Sequence, residues 1–256
     1  FTFYDSDRLS VGDNLRKNFG YAALSRIYHE LGIHTFLTNR QRHSKEQYDA
    51  NTIMKLLVYS RLLFPASKKS SYENRERFFE KTDYSLDDVY RCLSFLDKHR
   101  ENLQIWLNDR IRETYGRDTS LIYYDVTNYY FETDEQNDFL RKGLSKEHRP
   151  NPIIQMGLFM DNQGLPITYE LFPGNTNDCL TYRPNFGRIK KQFGLGRVIS
   201  VADKGMTTGD NIWYTINTPT HDGYVFCMSI RGAEKGINEY GIEQHGYEWL
   251  GTENKR

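Results

Sequence analysis

Cysteine and proline are scarce in this sequence, and long apolar runs are missing. Only three of the 256 residues are cysteine, and Cys92, Cys179 and Cys227 lie too far apart for a disulfide framework or a zinc-binding pattern. The most apolar stretch, residues 53–64, is short and contains two charged side chains, so it cannot span a bilayer. We therefore expect no membrane partner and a cytoplasmic location.

An excess of charge of either sign is also missing, because 34 Lys and Arg residues balance 34 Asp and Glu residues. Net charge therefore indicates no class of partner, and only the distribution of charge along the chain can do so. Aromatic residues make up 14% of the chain, which argues against disorder. A chain of this length is expected to form one or two domains with a sizeable core.

Residues 1–118 have the pattern of a helical region, since glycine and proline are sparse there. Capping-box patterns beginning at Ser44 and at Ser70 predict two helix starts. Ser85, followed by two aspartates, predicts a third. The helix after Ser44 should end before Pro65, because a proline disfavours helical geometry in the residue that precedes it.

From residue 119 the sequence pattern changes and predicts strands that alternate with helices. Aromatic and β-branched runs predict strands, and two longer segments between them predict helices. The predicted strands lie at residues 121–131, 153–160, 165–172, 198–202 and 224–230, and the predicted helices at 180–193 and 207–216. This order predicts an α/β domain that follows the helical region.

Two aspartates stand out within the predicted strands. Asp125 interrupts a strand of aromatic and aliphatic residues, and Asp203 follows directly after another apolar strand. Carboxylates from two neighbouring strands can converge on Mg²⁺, which prefers carboxylate oxygens, water and phosphate as ligands. The residues alone leave a second interpretation open, in which Asp125 caps a turn and Asp203 caps the helix that begins near Thr207.

Four motifs resemble those of DDE transposases of the insertion-sequence-four type. Residues 124–128 (Tyr-Asp-Val-Thr-Asn) are similar to the first aspartate motif, and residues 198–206 (Val-Ile-Ser-Val-Ala-Asp-Lys-Gly-Met) to the second. Residues 171–178 (Leu-Phe-Pro-Gly-Asn-Thr-Asn-Asp) resemble the Gly-Asn-x-x-Asp turn between the catalytic strands. Residues 61–68 (Arg-Leu-Leu-Phe-Pro-Ala-Ser-Lys) are similar to a stretch of the helical region in the same branch.

The resemblance implies a helical N-terminal region, residues 1–118, with DNA binding as its candidate role. It implies a ribonuclease-H-like mixed-sheet catalytic domain in residues 119–256. Asp125 and Asp203 would be catalytic residues and ligands of Mg²⁺, with two ions in the complete enzyme and Mn²⁺ as a substitute. The implied activity is metal-dependent cleavage and strand transfer at insertion-sequence ends.

One departure from the family concerns the third acid, a glutamate within Tyr-x2-Arg-x3-Glu-x6-Lys. No tyrosine after Asp203 is followed by arginine three positions later. We therefore expect that the third acid is not in this chain and that the catalytic domain is truncated within a β insertion. The first residue, Phe1, suggests that the front is incomplete too.

Basic residues cluster in three places that could contact DNA phosphates, and the third place is Arg141, Lys142, Lys146 and Arg149. The candidate DNA-binding residues are Lys68, Lys69, Arg183, Arg188, Lys190, Lys191 and Arg197. An ordinary solvated helix face is the alternative for each cluster. The expected partners are double-stranded DNA, both transposon ends and target, and a second copy of the chain in a homodimer on DNA.

Two other functions stay open at this point. The first is a metal-dependent nuclease that cuts DNA without joining it. The second is a catalytically dead remnant that still binds DNA through its helices.

Overall fold

The structure is a computed structural model that describes residues 17–143 and 150–228. The chain forms two compact units, Phe1–Gly116 and Arg117–Arg256. Each unit has its own set of secondary-structure elements and its own core. Within the described ranges, no helix is long and apolar enough to cross a membrane.

The first unit is helical in its described part. Its helices are α1 (Tyr21–Glu30), α2 (Ile33–Gln41), α3 (Ala50–Leu63), α4 (Lys68–Glu73), α5 (Leu86–Lys98) and α6 (Arg100–Tyr115). A short 3₁₀ turn, Arg75–Arg77, follows α4. The core of this unit includes the fully buried side chains of Leu37, Ile53, Tyr59, Val89 and Cys92.

The helix starts of this unit confirm one predicted cap and correct two. Ser85 caps α5 at the predicted helix start and forms a capping box with Asp88, because its hydroxyl accepts from the Asp88 backbone N–H while the Asp88 carboxylate accepts from the Ser85 N–H. The prediction at Ser44 is wrong, since α3 begins six residues later with Asp49 as its cap. The prediction at Ser70 is also wrong, because Ser67 caps α4.

The end of α3 agrees with the prediction from Pro65. The helix ends at Leu63, and Phe64 leaves helical geometry immediately before the proline.

The two wrong capping predictions, at Ser44 and at Ser70, have the same cause. A serine followed three residues later by an acid or amide is a common pattern, so the pattern alone does not identify the cap. Which serine or aspartate becomes the cap depends on which turn of the chain packs into the core.

The second unit contains a five-stranded sheet and two α-helices among its described residues. The elements are β1 (Leu121–Tyr130), β2 (Ile153–Met160), β3 (Pro166–Pro173), α7 (Asp178–Gln192), β4 (Ile199–Ala202), α8 (Gly209–Ile216) and β5 (Gly223–Phe226). The strand order is β3-β2-β1-β4-β5. β2 runs antiparallel to both of its neighbours, whereas β1, β4 and β5 pair in parallel.

This sheet confirms the predicted α/β fold with a mixed sheet. An antiparallel meander, β1 to β3, forms one half, and two parallel strands extend it on the other side of β1. Parallel pairing requires crossover connections, and α7 and α8 are the helices within those connections. β1 therefore lies at the centre, between an antiparallel and a parallel neighbour.

An aromatic cluster attaches α7 to one face of this sheet. The Tyr124 and Phe159 rings lie 4.4 Å apart on adjacent strands, and Tyr182 stacks on Phe186 at 5.2 Å along α7. All four side chains are buried, with at most 2% of their surface exposed. Buried aromatic side chains contribute heavily to core stability because of their area, so this cluster holds the helix against the central strands.

A buried carboxylate ties the parallel half of the sheet to α7. Asp222 accepts hydrogen bonds from the Val198 N–H at 2.8 Å, the Thr218 hydroxyl at 2.8 Å and the Lys190 ammonium at 3.0 Å. Val198 precedes β4 and Asp222 precedes β5, so this network fixes the starts of both strands. Burial alone would raise the pKa of Asp222, but these hydrogen bonds hold its pKa below its ordinary value of 3.8.

The packing around Gly157 on β2 leaves no room for a side chain. A Cβ atom at this position would overlap the Tyr124 hydroxyl and lie 2.7 Å from Asn185 Nδ2. We predict that Gly157→Ala lowers the free energy of unfolding by about 1–3 kcal/mol through overpacking, measured by urea unfolding. Gly196→Ala is the matched control, because no atom lies within 4 Å of its Cβ position. An equal effect of both substitutions would contradict this explanation.

The Asp222 network predicts a pH-dependent contribution to stability. Removing one partner of a buried ion pair costs about 3–5 kcal/mol, so Asp222→Asn should be strongly destabilising at neutral pH. Because the pKa is lower in the folded state, the stabilisation is complete above about pH 4 and is lost as the pH falls through the folded-state value. In urea unfolding, the difference between the wild type and Asp222→Asn should therefore shrink in acid.

The control for this series is Asp210→Asn, because that carboxylate is 77% exposed and pairs with Arg183 at 3.7 Å. A surface pair of this kind contributes little, so the control should match the wild type at every pH. If the difference in free energy of unfolding between the wild type and Asp222→Asn stayed constant as the pH fell, the ionised carboxylate would not be the cause of the stabilisation.

Candidate functional site

The parallel pairing of β1 with β4 brings Asp125 and Asp203 together. In this register Tyr124 pairs with Ala202, so the two aspartates occupy the next position on each strand. Neighbouring strands lie about 4.8 Å apart, which places the two carboxylates within reach of a shared cation. The structure thus juxtaposes the two acids at the carboxyl end of a parallel strand pair.

Both carboxylates lie on the face of the sheet opposite to α7. Tyr124 and Ala202 are buried on the α7 side, and successive side chains along a strand point to opposite faces. Asp203 continues the extended backbone of β4, with φ −72° and ψ 176°. Both aspartates are exposed, so their carboxylates are accessible to a ligand from this side.

Local backbone contacts orient each carboxylate. Asp125 Oδ1 accepts from the N–H of the next residue, Val126, at 2.8 Å. Asp203 Oδ1 accepts from the Gly205 N–H at 2.9 Å and caps the short 3₁₀ turn Lys204–Met206. The interpretation that Asp203 caps the helix beginning near Thr207 is wrong, because Thr208 caps α8 and Asp203 caps only this short turn. Capping by one oxygen leaves the second oxygen of Asp203 for other contacts.

A buried polar trio lies directly behind Asp125, and the sequence did not predict it. The Tyr124 hydroxyl donates to Thr181 Oγ1 at 2.7 Å and accepts from Asn185 Nδ2 at 3.2 Å. Burial raises the pKa of Tyr124 to about 12, so the phenol stays neutral and keeps its proton for Thr181. These bonds fix the strand position next to Asp125 relative to α7. The tyrosine directly before Asp125 was the available signal in the sequence.

The Gly-Asn-x-x-Asp turn positions the backbone that follows β3 and the start of α7. A Cβ atom on Gly174 would overlap the carbonyl oxygen of Ile153 and lie 2.5 Å from that of Arg141, so only glycine fits between them. Asn177 caps α7, and Asp178 in the first turn accepts from Gln155 at 3.1 Å. The motif thereby joins the end of β3, the start of α7 and the beginning of β2.

Two of the predicted DNA-binding residues form ion pairs in which both side chains are mostly buried. Arg188 pairs with Glu170 at 2.5 Å and donates to Thr168 and Tyr169. The Lys190 ammonium pairs with Asp222, and its side chain is only 15% exposed. These contacts give both side chains a structural role within the second unit.

The other predicted basic residues are at the surface or half-exposed. Arg183 pairs with Asp210 at 3.7 Å, Lys191 is exposed, and Arg197 donates to the carbonyl of His221. In the first unit, Lys68 is exposed and Lys69 lies 4.0 Å from Glu73. DNA binding by this set stays a prediction.

The pair of aspartates fits part of the donor set for Mg²⁺. This cation is typically held by one or two carboxylates together with waters and substrate phosphates. Within residues 17–143 and 150–228, no cluster of three or more His, Cys, Asp or Glu side chains could hold a metal ion. Five glutamates within residues 234–253 are further carboxylates of the chain, and they lie outside the described residues.

Comparison with known proteins gives matches among solved structures alone. No protein-family model matches the sequence, and no curated protein matches it. The chain is similar to a piggyBac transposase in a synaptic complex with hairpin DNA, with a TM-score of 0.44 and 13% identity over 84% of this chain. It is also similar to Mos1 transposase in a paired-end complex with the left transposon end, with a TM-score of 0.28 and 15% identity over 72% of this chain.

A third similar structure is the catalytic domain of Mos1 mariner transposase, with a TM-score of 0.27 and 17% identity over 51% of this chain and 60% of that chain. The chain spans 50% of the length of the piggyBac transposase and 59% of the Mos1 transposase in the paired-end complex.

Gly205 offers a test of the Asp203 carboxylate as a metal ligand. A Cβ atom at Gly205 would lie 3.1 Å from Asp203 Oδ1, so a branched side chain there should displace the carboxylate. We predict that Gly205→Val weakens Mn²⁺ binding about 10-fold, as disturbance of a ligand's supporting contacts typically does. Binding is measured by electron paramagnetic resonance of free Mn²⁺ during a titration.

Gly209→Val is the matched control, because no atom lies within 4 Å of its Cβ position and it is only four residues away. This variant should bind Mn²⁺ like the wild type. Equal Mn²⁺ affinity in the wild type and both variants would contradict the assignment of Asp203 as a cation ligand.

Proposed function

We propose that this chain is the catalytic part of a DNA transposase of the insertion-sequence-four type. The observation that supports this most directly is the in-register position of Asp125 and Asp203 on adjacent strands, on one face of a ribonuclease-H-like sheet. The four sequence motifs of this family support the finer assignment, since two of them contain these aspartates and a third forms the turn around Gly174.

In this proposal Asp125 and Asp203 would hold Mg²⁺. When bound, the cation would activate the attacking oxygen and stabilise the leaving oxygen in phosphodiester chemistry. A water oxygen attacks phosphorus at the transposon end, and the broken P–O bond leaves a 3′-hydroxyl. That hydroxyl then attacks a phosphodiester of the target, so one P–O bond forms for each one broken. The trio of Tyr124, Thr181 and Asn185 acts as a positioning group behind Asp125.

The third acid of the family is proposed to lie outside the described residues. Two aspartates leave an octahedral cation with few protein ligands, and metal-assisted catalysis depends on a fixed ion position. A downstream segment with the pattern Tyr-x2-Arg-x3-Glu-x6-Lys would supply the third carboxylate. The partners in this proposal are double-stranded DNA at transposon ends and target, and a second copy of the chain on DNA.

Among the predicted basic residues, DNA contacts are best assigned to the side chains that are not buried in ion pairs. Lys191, Arg197, Lys68 and Lys69 satisfy this condition, and Arg183 does so with a weak surface partner. Arg188 and Lys190 are better explained by their contacts within the second unit.

The 256-residue chain alone is expected neither to cleave nor to join DNA with Mg²⁺ or Mn²⁺. The reason is the incomplete carboxylate set, which leaves the cation loosely placed and loses most of the rate. The measurements are nicking of a supercoiled plasmid and joining of a labelled oligonucleotide with a free 3′-hydroxyl. Robust cleavage that Asp125→Ala abolishes would contradict this expectation, and Glu→Ala changes within residues 234–253 would then locate the third acid.

The same two assays test the function in a protein extended along its reading frame through a Tyr-x2-Arg-x3-Glu-x6-Lys segment. Joined products that disappear in Asp125→Asn and in Asp203→Asn would support a transposase. Cleaved products without joined ones would identify a nuclease instead. DNA binding without either product would identify a DNA-binding remnant, and would overturn the proposal.

A further inference from the structure

A cleft in the first unit concentrates cationic side chains that no predicted site includes. Its volume is about 530 Å³, and it lies between the C-terminal end of α2, the loop that follows, and the second half of α5. We name it the basic cleft. Its basic side chains are those of Arg40, His43, Lys45, Arg91, Lys98 and His99.

The positive charge of the basic cleft is largely uncompensated. Arg91 pairs with Asp87 at 3.1 Å and with Asp88 at 2.5 Å. In contrast, no carboxylate of the described residues lies within 4.0 Å of the cationic groups of Arg40, Lys45 or Lys98. Glu46 is the one acidic side chain in the lining. An excess of cations remains for an anionic ligand.

The cations are also close to one another. Burial is the larger cause of a lowered pKa at His99, and the charges of Arg40 and Lys98 lower it further. Like charges held together without counterions disfavour folding. The C-terminal ends of α2 and α5 offset part of this cost, because basic side chains there complement the helix dipole. The dipoles explain Arg40 and Lys98, but they give no reason for Lys45, which lies in the loop.

Side-chain contacts hold the cleft in shape without a ligand. Gln41 spans the loop, since its Oε1 accepts from the Ala50 N–H at 3.1 Å and its Nε2 donates to the Tyr48 carbonyl. The Arg40 guanidinium lies over the buried Phe36 ring at 5.3 Å. His99 packs edge-on against buried Phe95, with ring centroids 4.8 Å apart. Side chains supported on aromatic rings keep their position, so less entropy is lost when they bind an anion.

The lining fits phosphate oxygens better than an apolar ligand. Guanidinium, ammonium and imidazole groups donate to anionic oxygens, and the hydroxyls of Ser44 and Ser94 add two neutral donors. We propose that the basic cleft binds the phosphate backbone of double-stranded DNA. This inference rests on the proposed function, which makes DNA the substrate, and it assigns the helical unit a contact separate from the two aspartates.

The test removes two exposed cations from the cleft in the double variant Arg40→Ala/Lys98→Ala. The matched control, Arg112→Ala/Lys81→Ala, removes one arginine and one lysine at exposed positions elsewhere on the same unit. Binding of a labelled DNA duplex is followed by fluorescence anisotropy over a series of KCl concentrations. Circular dichroism melts check that all proteins remain folded.

The slope of log K against log [KCl] is negative, and each phosphate contact contributes about 0.9 to its magnitude. We therefore expect the slope of the cleft variant, which lacks two cations, to be less steep by about 1.8. The control should keep the wild-type slope. An unchanged slope in the cleft variant, with wild-type binding intact, would overturn the cleft proposal alone. Absence of DNA binding by the wild-type chain would overturn the proposed function together with it.

A second arm titrates the wild type with inorganic pyrophosphate by calorimetry. Competition of pyrophosphate with the duplex, lost in the cleft variant, would support a phosphate-backbone site. Pyrophosphate binding in the cleft that leaves the DNA affinity unchanged would instead indicate a small phosphorylated ligand and would overturn the proposal.

Discussion

The parallel pairing of β1 with β4 is the constraint on which the candidate site depends. A carboxylate on a single strand has no partner of defined position. The register from Leu121–Ile199 to Tyr124–Ala202 places Asp125, in the middle of β1, beside Asp203, which follows the end of β4. That register is secured from the other side of the sheet, where Tyr124 meets Thr181 and Asn185 and where Asp222 fixes the starts of β4 and β5. The packed face thereby determines the geometry of the exposed face.

The two faces of the sheet have different roles because their side chains differ in kind. The α7 face is filled by aromatic rings and satisfied polar groups, which leave little freedom to β1 and β2. On the opposite face the aspartates are exposed and held by backbone N–H groups of their own segments. A site of this type combines rigid placement with access to a large substrate, which a polymer such as DNA requires.

Sequence reasoning was most successful where a local pattern alone determines the structure. The strands around Asp125 and Asp203, the hairpin of β2 and β3, and the helix start at Ser85 all follow from residue type and short spacing. The errors occur where tertiary contacts choose between equal local options. Ser44 has a good capping pattern, yet Asp49 caps α3, because Gln41 holds the intervening residues as a loop.

Charge patterns have the same limitation. The basic run in α7 suggested one binding surface, but a helix distributes its residues around an axis. Lys190 and Arg188 therefore contact Asp222 and Glu170, whereas Lys191 faces solvent. In the basic cleft the reverse holds, because α2, its following loop and α5 bring together cations that are separated by more than 50 positions in the sequence. Neither outcome can be read from sequence spacing, since both depend on how the helices pack.

The strand order has a consequence for how the molecule assembles. β1, β2 and β3 follow one another along the chain and pair as neighbours, whereas β4 must return across α7 to reach β1. Contacts between residues close in sequence generally form before those that close long loops. We therefore expect the meander with Asp125 to form early and Asp203 to join it only when β4 docks. The two acids would then become a pair at one of the last steps of folding, so partly folded chains present single carboxylates rather than a cation site.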